Sequence, residues 1–293
     1  MLRPRLSIII PAYNEGERIG ETLEAALKAV RESAIPCEII VSDDASTDDT
    51  AEIARSFGVK VVHSGKRNIA ATRNVGAKSA AGSVFLFLDA DTIVEASHLR
   101  EILVALDAGA IGGGCEVAWT EPTPAWLRIA AWGWNKYAHF TRSPAGSFFF
   151  VKREAFESVG GFDEEYYISE ELYLGRKLKQ LGRLAIISMP IRTSPRKGFD
   201  FTLGEHARMM AKIILSHNRT VRDPKHLDLW YTRRSSTRRN DIQHDRQIMK
   251  EASGHHEHMP DSMVVGNPVK NKKNIPRVYE SPPAASSTIH PEE

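Results

Sequence analysis

Short apolar runs alternate with amphipathic stretches through the first half of the chain. Leu6-Ser-Ile-Ile-Ile10 is β-branched and apolar at nearly every position, which suits a strand covered on both faces. A loop, Pro11-Ala-Tyr-Asn-Glu15, follows, and apolar residues at helical spacing then predict a helix from Arg18 to Glu32. Glu38-Ile-Ile-Val-Ser42 reads as a second strand ended by Asp43-Asp44. Ser46, Thr47 and Asp48 stand where they can cap a helix from Asp49 to Phe57. Val59 to His63 reads as a third strand and Asn68 to Ala80 as a helix stopped at Gly82. Ser83-Val-Phe-Leu-Phe-Leu88 is a fourth strand that runs into Asp89-Ala90-Asp91. A helix from His98 to Leu106 and a strand near Gly113 to Trp119 come next. Gly146 to Val151 is a further strand, Arg153 to Val159 a helix, and Gly160-Gly161 permits a tight turn with close backbone approach. Alternating strands and helices with short loops predict right-handed crossovers and a mostly parallel sheet with helices on both faces. Ligands of such sheets bind beyond the carboxyl ends of the strands. The polar clusters Tyr13-Asn14-Glu15, Asp43-Asp44 and Asp89/Asp91 fall there.

Composition sets the boundaries. From Arg233 to Glu293 the only aromatic residue is Tyr279, and charge runs such as Arg238-Arg239 and Lys272-Lys273 recur. Such a stretch buries too little apolar surface to offset its ordering entropy, so a disordered or loosely attached tail is expected. His255, His256 and His258 within it form a possible adventitious metal cluster, but a solvated tail is the simpler reading. With 39 Lys+Arg against 37 Asp+Glu the net charge is +2, which argues against a wide basic face for nucleic acid. Cys37 and Cys115 are too few for a disulfide framework or a Cys-rich zinc site. The opening residues lead almost at once into a strand, so no signal peptide is expected, and no run reaches the ~18 apolar residues of a membrane span. A soluble, cytoplasmic protein is the expectation.

Two nucleotide signatures are missing: no G-x-G-x-x-G follows a strand, and no G-x-x-x-x-G-K-[ST] occurs. Gly112-Gly113-Gly114 has neither spacing. A dinucleotide dehydrogenase and a P-loop enzyme are therefore disfavoured. Asp89-x-Asp91 after a very apolar strand is a candidate site for a hard divalent cation beside a diphosphate, although such a pair can equally begin a helix.

The motifs Pro11-Ala-Tyr-Asn-Glu15, Asp43-Asp44-Ala-Ser-Thr-Asp48, Arg73-Asn74-x-Gly76, Phe87-Leu-Asp-Ala-Asp91 and Gly160-Gly-Phe-Asp-Glu164 occur in one order. Together they resemble glycosyltransferase family 2, the inverting GT-A enzymes that use nucleotide-diphospho sugars, over roughly Leu6 to Arg196. Ala45 replaces the glycine usual in the second motif. The resemblance implies a GT-A-like Rossmann-type domain over residues 1–204, a helical extension over 205–232 and the tail over 233–293. It implies donor contacts from Pro11, Tyr13, Glu15, Asp43, Asp44, Arg73, Asp89 and Arg196. Tyr13 would stack on the base, Asp44 would accept from its ring N–H, and Arg73 would meet a phosphate, with Lys66 and Arg67 as alternatives. Asp91, with Asp89, would hold Mn²⁺ or Mg²⁺. The family's E-D pair that supplies the catalytic base corresponds to Glu170-Glu171, with Glu171 at the usual Asp position and Tyr173 replacing a further common Asp. A helix N-terminus there favours an ionised carboxylate, as a base requires.

The implied activity is metal-assisted transfer of a sugar to an acceptor hydroxyl on a sugar, lipid-linked or small-molecule acceptor. The Q-x-x-R-W motif of processive members is missing, so single additions are expected. A non-catalytic nucleotide-sugar-binding scaffold is the rival reading, and a nucleotidyltransferase a weaker one, since no Gly-rich basic loop follows the first strand. Trp126 to Tyr137 is aromatic-rich with a basic edge and suits core packing, an acceptor pocket or peripheral contact with a membrane. Leu203 to Ile214 and Leu227 to Tyr231 are expected to cover the end of the sheet or to dock on lipid, and His206 is a candidate third metal ligand.

Overall fold

The computed structural model describes residues 4–120 and 123–195. Arg196, His206, the expected extension and the expected tail lie outside the described residues. The order is β1 (Leu6–Ala12), α1 (Ile19–Ser33), β2 (Cys37–Asp43), α2 (Thr50–Ser56), β3 (Lys60–His63), α3 (Ile69–Lys78) and β4 (Val84–Leu88). It continues with β5 (Thr92–Ile93), α4 (Ala96–Asp107), β6 (Gly112–Trp119), α5 (Ala125–Thr141), β7 (Phe148–Lys152), α6 (Arg153–Ser158), α7 (Glu170–Lys179) and β8 (Leu184–Thr193).

One mixed sheet joins the strands in the order β3-β2-β1-β4-β7-β6-β8-β5. The first four are parallel, as the alternating pattern predicts. Beyond β4 the sheet changes character: β7 runs antiparallel to both β4 and β6, β8 is parallel to β6, and β5 is antiparallel to β8. The short β5 and the long β8 have no counterpart among the elements that the sequence pattern predicts.

Strand β1 is buried at all seven positions because helices cover both faces. Side chains alternate across a strand. Leu6, Ile8, Ile10 and Ala12 therefore join Ile19, Leu23 and Ala26 of α1 and Leu99 and Ile102 of α4 in one core. Ile9 faces the other way, toward Ala70 and Ala77 of α3, Phe156 of α6 and Leu174 of α7. In that second core Phe87 packs edge-on against Phe162 at 4.9 Å between centroids, and Phe85 against Phe156 at 5.5 Å. Each such buried ring contributes about 1.5–3 kcal/mol. Helix α3 lies close to the sheet because Gly76 faces β1; a Cβ there would stand 2.4 Å from Ile9 Cγ2. The Gly112-Gly113-Gly114 run has a similar packing role in β6, where a Cβ at Gly113 would stand 1.9 Å from the Ala185 carbonyl oxygen of β8.

Candidate active site

The loops after β1 and β2 are joined by reciprocal hydrogen bonds. Asn14, whose φ of 52° suits its short polar side chain, accepts from Thr47 N at 2.7 Å and donates its own N–H to Ser46 Oγ at 3.0 Å. Glu15 N donates to Thr50 Oγ1 and Gly16 N to Asp48 Oδ2. This corrects the capping expectation. Ser46 and Thr47 bind the neighbouring loop, and only Asp48 reaches α2, accepting from Thr50 N at 3.2 Å. Pro11 is the penultimate residue of β1, so the strand end and the two loops form one edge of the site.

Asp44 is buried and accepts three backbone N–H groups: Lys66 and Arg67 on Oδ1 at 2.7 and 2.8 Å, and Asn68 on Oδ2 at 3.1 Å. It therefore fastens the loop before α3, a role that its motif does not imply. Asp43 is also buried. Its Oδ2 accepts from Ser46 N and lies 3.6 Å from His63 Nδ1, while Oδ1 has no partner among the described residues. An orphaned buried acceptor at this strand end calls for a donor. Tyr13 is 36% exposed, with the Arg67 guanidinium 3.6 Å from its ring centroid. The cation thus occupies a ring face on which the resemblance implies base stacking.

Arg73 departs most from expectation. The resemblance implies a phosphate contact, but Arg73 is 2% exposed, and its guanidinium bridges two carboxylates. Nη1 donates to Glu170 Oε1, while Nη2 donates to Asp89 Oδ1 at 2.9 Å and to the Gly146 carbonyl at 3.1 Å. Burial by itself pulls its pKa down, but the charges of Glu170, Asp89 and Glu171 more than reverse this and hold it protonated. Carboxylates from β4 and α7 converge here on one turn of α3. Its Nε has no hydrogen-bond partner among the described residues.

Glu170 is buried against Arg73, whereas Glu171 makes no ion pair among the described residues and is half-buried. The Glu171 carboxyl is pushed up to about 8, first by burial and then by the charge of Glu170, with Arg73 opposing. The helix start by itself does not offset this rise. A helix terminus is typically worth ~0.3–1 kcal/mol, less than about one pKa unit, and burial beside a like charge outweighs it. Gly146 packs closely against these groups. A Cβ there would lie 3.2 Å from Arg73 Nη2 and 3.5 Å from Glu171 Cδ.

Asp89 and Asp91 flank a tight turn in which Thr92 N donates to the Asp89 carbonyl. Asp91 Oδ1 accepts from Thr193 Oγ1 at 3.3 Å, and its carbonyl accepts from Ser194 N. Asp91 lines a cavity of about 500 Å³ together with Glu17, Arg18, Glu21 and Thr120. Among the described residues no group of three or more His, Cys, Asp or Glu side chains is arranged to hold a metal. Two carboxylates still fit a hard cation such as Mg²⁺ or Mn²⁺, which completes its shell with water and phosphate oxygens. Asp89 keeps Oδ2 for this purpose, since only its Oδ1 takes Arg73.

Sequence reasoning assigns no role to Asn74 or Thr193. Asn74 Nδ2 donates to the Phe162 carbonyl and to Glu164 Oε1, and its Oδ1 accepts from Phe162 N. It thereby ties α3 to the Gly160-Gly161 turn, whose φ values of 80° and 73° agree with the expected tight geometry. Asn74's place beside Arg73 in a motif is the available signal. Thr193 has none, because its meeting with Asp91 spans 102 residues.

The family model of Glycosyl transferase family 2 matches residues 7–160. The chain is 28% identical over 200 residues to the O-antigen chain rhamnosyltransferase WbaN of Salmonella anatum, covering 61% of this chain and 62% of that protein, less than two thirds of its length. It is 47% identical over 57 residues to 4,4'-diaponeurosporenoate glycosyltransferase of Staphylococcus aureus, over 20% of this chain and 14% of that one. Its fold is similar to that of S. aureus TarS in complex with UDP, with a TM-score of 0.53 at 21% identity, covering 67% of this chain and 62% of that one. It is similar also to the mannosyltransferase PcManGT from Pyrobaculum calidifontis in complex with GDP-Man and Mn²⁺, with a TM-score of 0.56 at 20% identity over 71% and 61% of the two chains.

Proposed function

The chain belongs to glycosyl transferase family 2, and from that premise we propose that it transfers one sugar, with inversion, from a nucleotide-diphospho-sugar donor to an acceptor hydroxyl. The observation that carries this reading is the division of the carboxylates. Glu170 and Asp89 are held by Arg73, which leaves Glu171, packed close to Gly146, as the carboxylate of the group with no ion pair among the described residues.

The nucleotide lies along the ends of β1 and β2. Asp43 supplies the acceptor for a base N–H, because its Oδ1 is the buried oxygen still lacking a donor. Asp44 acts indirectly by fixing the loop that carries Lys66 and Arg67, and these two take the diphosphate in place of Arg73. Pro11, Tyr13 and Glu15 border the base, and Arg67 moves off the Tyr13 ring when a base stacks there. Asp91 and Asp89 hold a divalent cation, Mn²⁺ or Mg²⁺, which when bound neutralises the leaving diphosphate. The relatives solved with UDP, or with GDP-Man and Mn²⁺, support this choice of donor and metal.

Chemistry at the other end belongs to Glu171. Its ionised carboxylate takes the proton of the acceptor hydroxyl as the oxygen bonds to the anomeric carbon and the bond to the diphosphate breaks. The leaving electron pair goes to the diphosphate oxygen, and the charge built up at the sugar resembles an oxocarbenium ion. Arg73 positions Glu170 and Asp89 and carries no proton in the step. Donor hydrolysis by a panel of UDP-, GDP- and dTDP-sugars with Mn²⁺ tests the proposal. Slow metal-dependent release of nucleotide is expected, and donor binding with neither hydrolysis nor transfer would favour a scaffold instead.

A further inference from the structure

Helix α5 rests on the sheet by one face. Leu127 and Ala138 are buried, and Asn135 both accepts from Val117 N at 2.9 Å and donates to the Val117 carbonyl at 3.1 Å, where β6 bulges. The opposite face carries Ile129, Trp132, Gly133, Lys136 and Phe140, spaced i, i+3, i+4, i+7 and i+11 along one stripe. Their exposure is unusual: Ile129 is 66%, Trp132 64% and Phe140 91% exposed, and a Cβ at Gly133 would meet nothing within 4 Å. The charges share one sign. Residues 125–142 contain Arg128, Lys136 and Arg142 and no Asp or Glu, in a chain whose net charge is only +2.

We infer that this stripe docks α5 flat onto an anionic phospholipid surface, so that transfer takes place at the membrane. Trp, Phe and Ile with Lys and Arg are the residues of interfacial helices, which insert aromatic side chains while cations meet lipid phosphates. Seventeen residues make a helix about 25 Å long, and no helix among the described residues is long and apolar enough to cross a membrane, so the helix lies on the surface. A second copy of the chain is a poorer occupant. A two-fold contact through this face would set Lys136 and the flanking Arg128 against their own copies with no acid in the helix to pair them. The position also has consequences for the acceptor, and this deepens the proposed transferase reading. At one end α5 follows β6, whose last residues adjoin Thr193 beside Asp91; at the other, Arg142 is four residues before Gly146, which faces Glu171. A docked α5 therefore brings the base toward the bilayer, where a lipid-linked acceptor hydroxyl is presented.

Flotation of the full chain with vesicles tests this without donor or acceptor. Binding is expected to phosphatidylcholine vesicles carrying about a third phosphatidylglycerol, to weaken with added salt, and to be marginal on pure phosphatidylcholine. Trp132→Ser with Phe140→Ser should weaken binding by about tenfold or more, and Arg128→Glu with Lys136→Glu should remove the preference for anionic lipid. These positions are exposed, so the unfolding midpoint should stay put, which separates lost docking from lost folding. Failure to float, or flotation that neither pair of substitutions weakens, would overturn the proposal. So would self-association in sedimentation velocity that Trp132→Ser with Phe140→Ser abolishes while vesicles stay unbound. Flotation without any sugar transfer would leave the docking standing and count against the catalytic reading alone.

Discussion

The all-parallel side of the sheet and the mixed side that begins at β4 hold their functional groups by different physics. At the ends of β1 and β2 the polar side chains are fixed by neutral or charge-to-backbone hydrogen bonds between adjacent loops. Asn14 to Thr47 and Asp44 to the amides of residues 66–68 are examples. Around β4, β7 and α7 the groups are fixed by a buried cation among carboxylates, Arg73 with Asp89 and Glu170. Hydrogen-bonded loops can give a little when a nucleotide enters. A buried ion cluster sets charge and protonation, and so suits the place where a proton must move.

The largest expected effect falls on the group that the cluster leaves unpaired. Glu171→Gln should lower turnover by roughly 10²–10⁴-fold while nucleotide binding is nearly unchanged, as steady-state rates and nucleotide titration would show. Comparable loss in Glu170→Gln with Glu171→Gln active would move the base by one residue and break the comparison. The same residue predicts the pH profile. With its carboxyl pushed up to about 8, the ionised base becomes scarcer by about tenfold per unit below that pH, so kcat/KM should climb with that slope and level off above it. Stability should move the opposite way. The folded state holds a proton that the unfolded chain has released from about pH 4.5 upward, so this contribution is full below pH 4.5 and lost as pH rises through about 8. Denaturant melts of the native protein and Glu171→Gln would differ in slope across that window; parallel curves would mean an unperturbed carboxyl.

Removing the cation is next in size. Arg73→Leu leaves Glu170 and Asp89 facing each other in a buried site, and breaking such a pair costs about 3–5 kcal/mol. Urea unfolding should show that loss, whereas Asp44→Ala, which frees three backbone donors, should lose about 1–3 kcal/mol. Equal losses from the two would erase the distinction between the halves.

The same contrast explains what is legible in the sequence. Strands β1 to β4 pair through short crossovers, so local periodicity and the order of polar loops suffice to put Pro11, Tyr13, Asp43 and Asp89 at strand ends. The other half pairs strands far apart in the chain. Strand β8 alternates irregularly between buried and exposed positions, and its contact with Asp91 through Thr193 has no local signature. Motif position locates Arg73 and Glu171 but not their states. The sequence does not show that Asp89 and Glu170 converge on Arg73, nor that Glu171 lies buried beside Glu170. Capping chemistry misleads for a similar reason: Ser46 and Thr47 have the right side chains for α2, but a loop from another part of the chain engages them first.

The smallest effect sharpens the claim that the loop half is held by local geometry. Ala45 adopts φ 57°, in the left-handed region, and its neighbours Asp44 and Ser46 are fixed by hydrogen bonds to other loops. An L-residue with a Cβ costs about 1–2 kcal/mol in that conformation. Glycine removes this strain, but it also adds freedom to the unfolded chain, which is worth about 0.4–1 kcal/mol in the other direction. The net expectation for Ala45→Gly is a gain of about 0.5–1 kcal/mol, seen as a higher urea midpoint with an unchanged m-value. Donor binding should hardly change, because the hydrogen bonds on either side already impose the turn. A loss of stability would mean that the Ala45 methyl makes contacts that outweigh its backbone strain. A large gain in donor affinity would mean that the loop is held less firmly than its hydrogen bonds imply, and the contrast between the two halves would narrow accordingly.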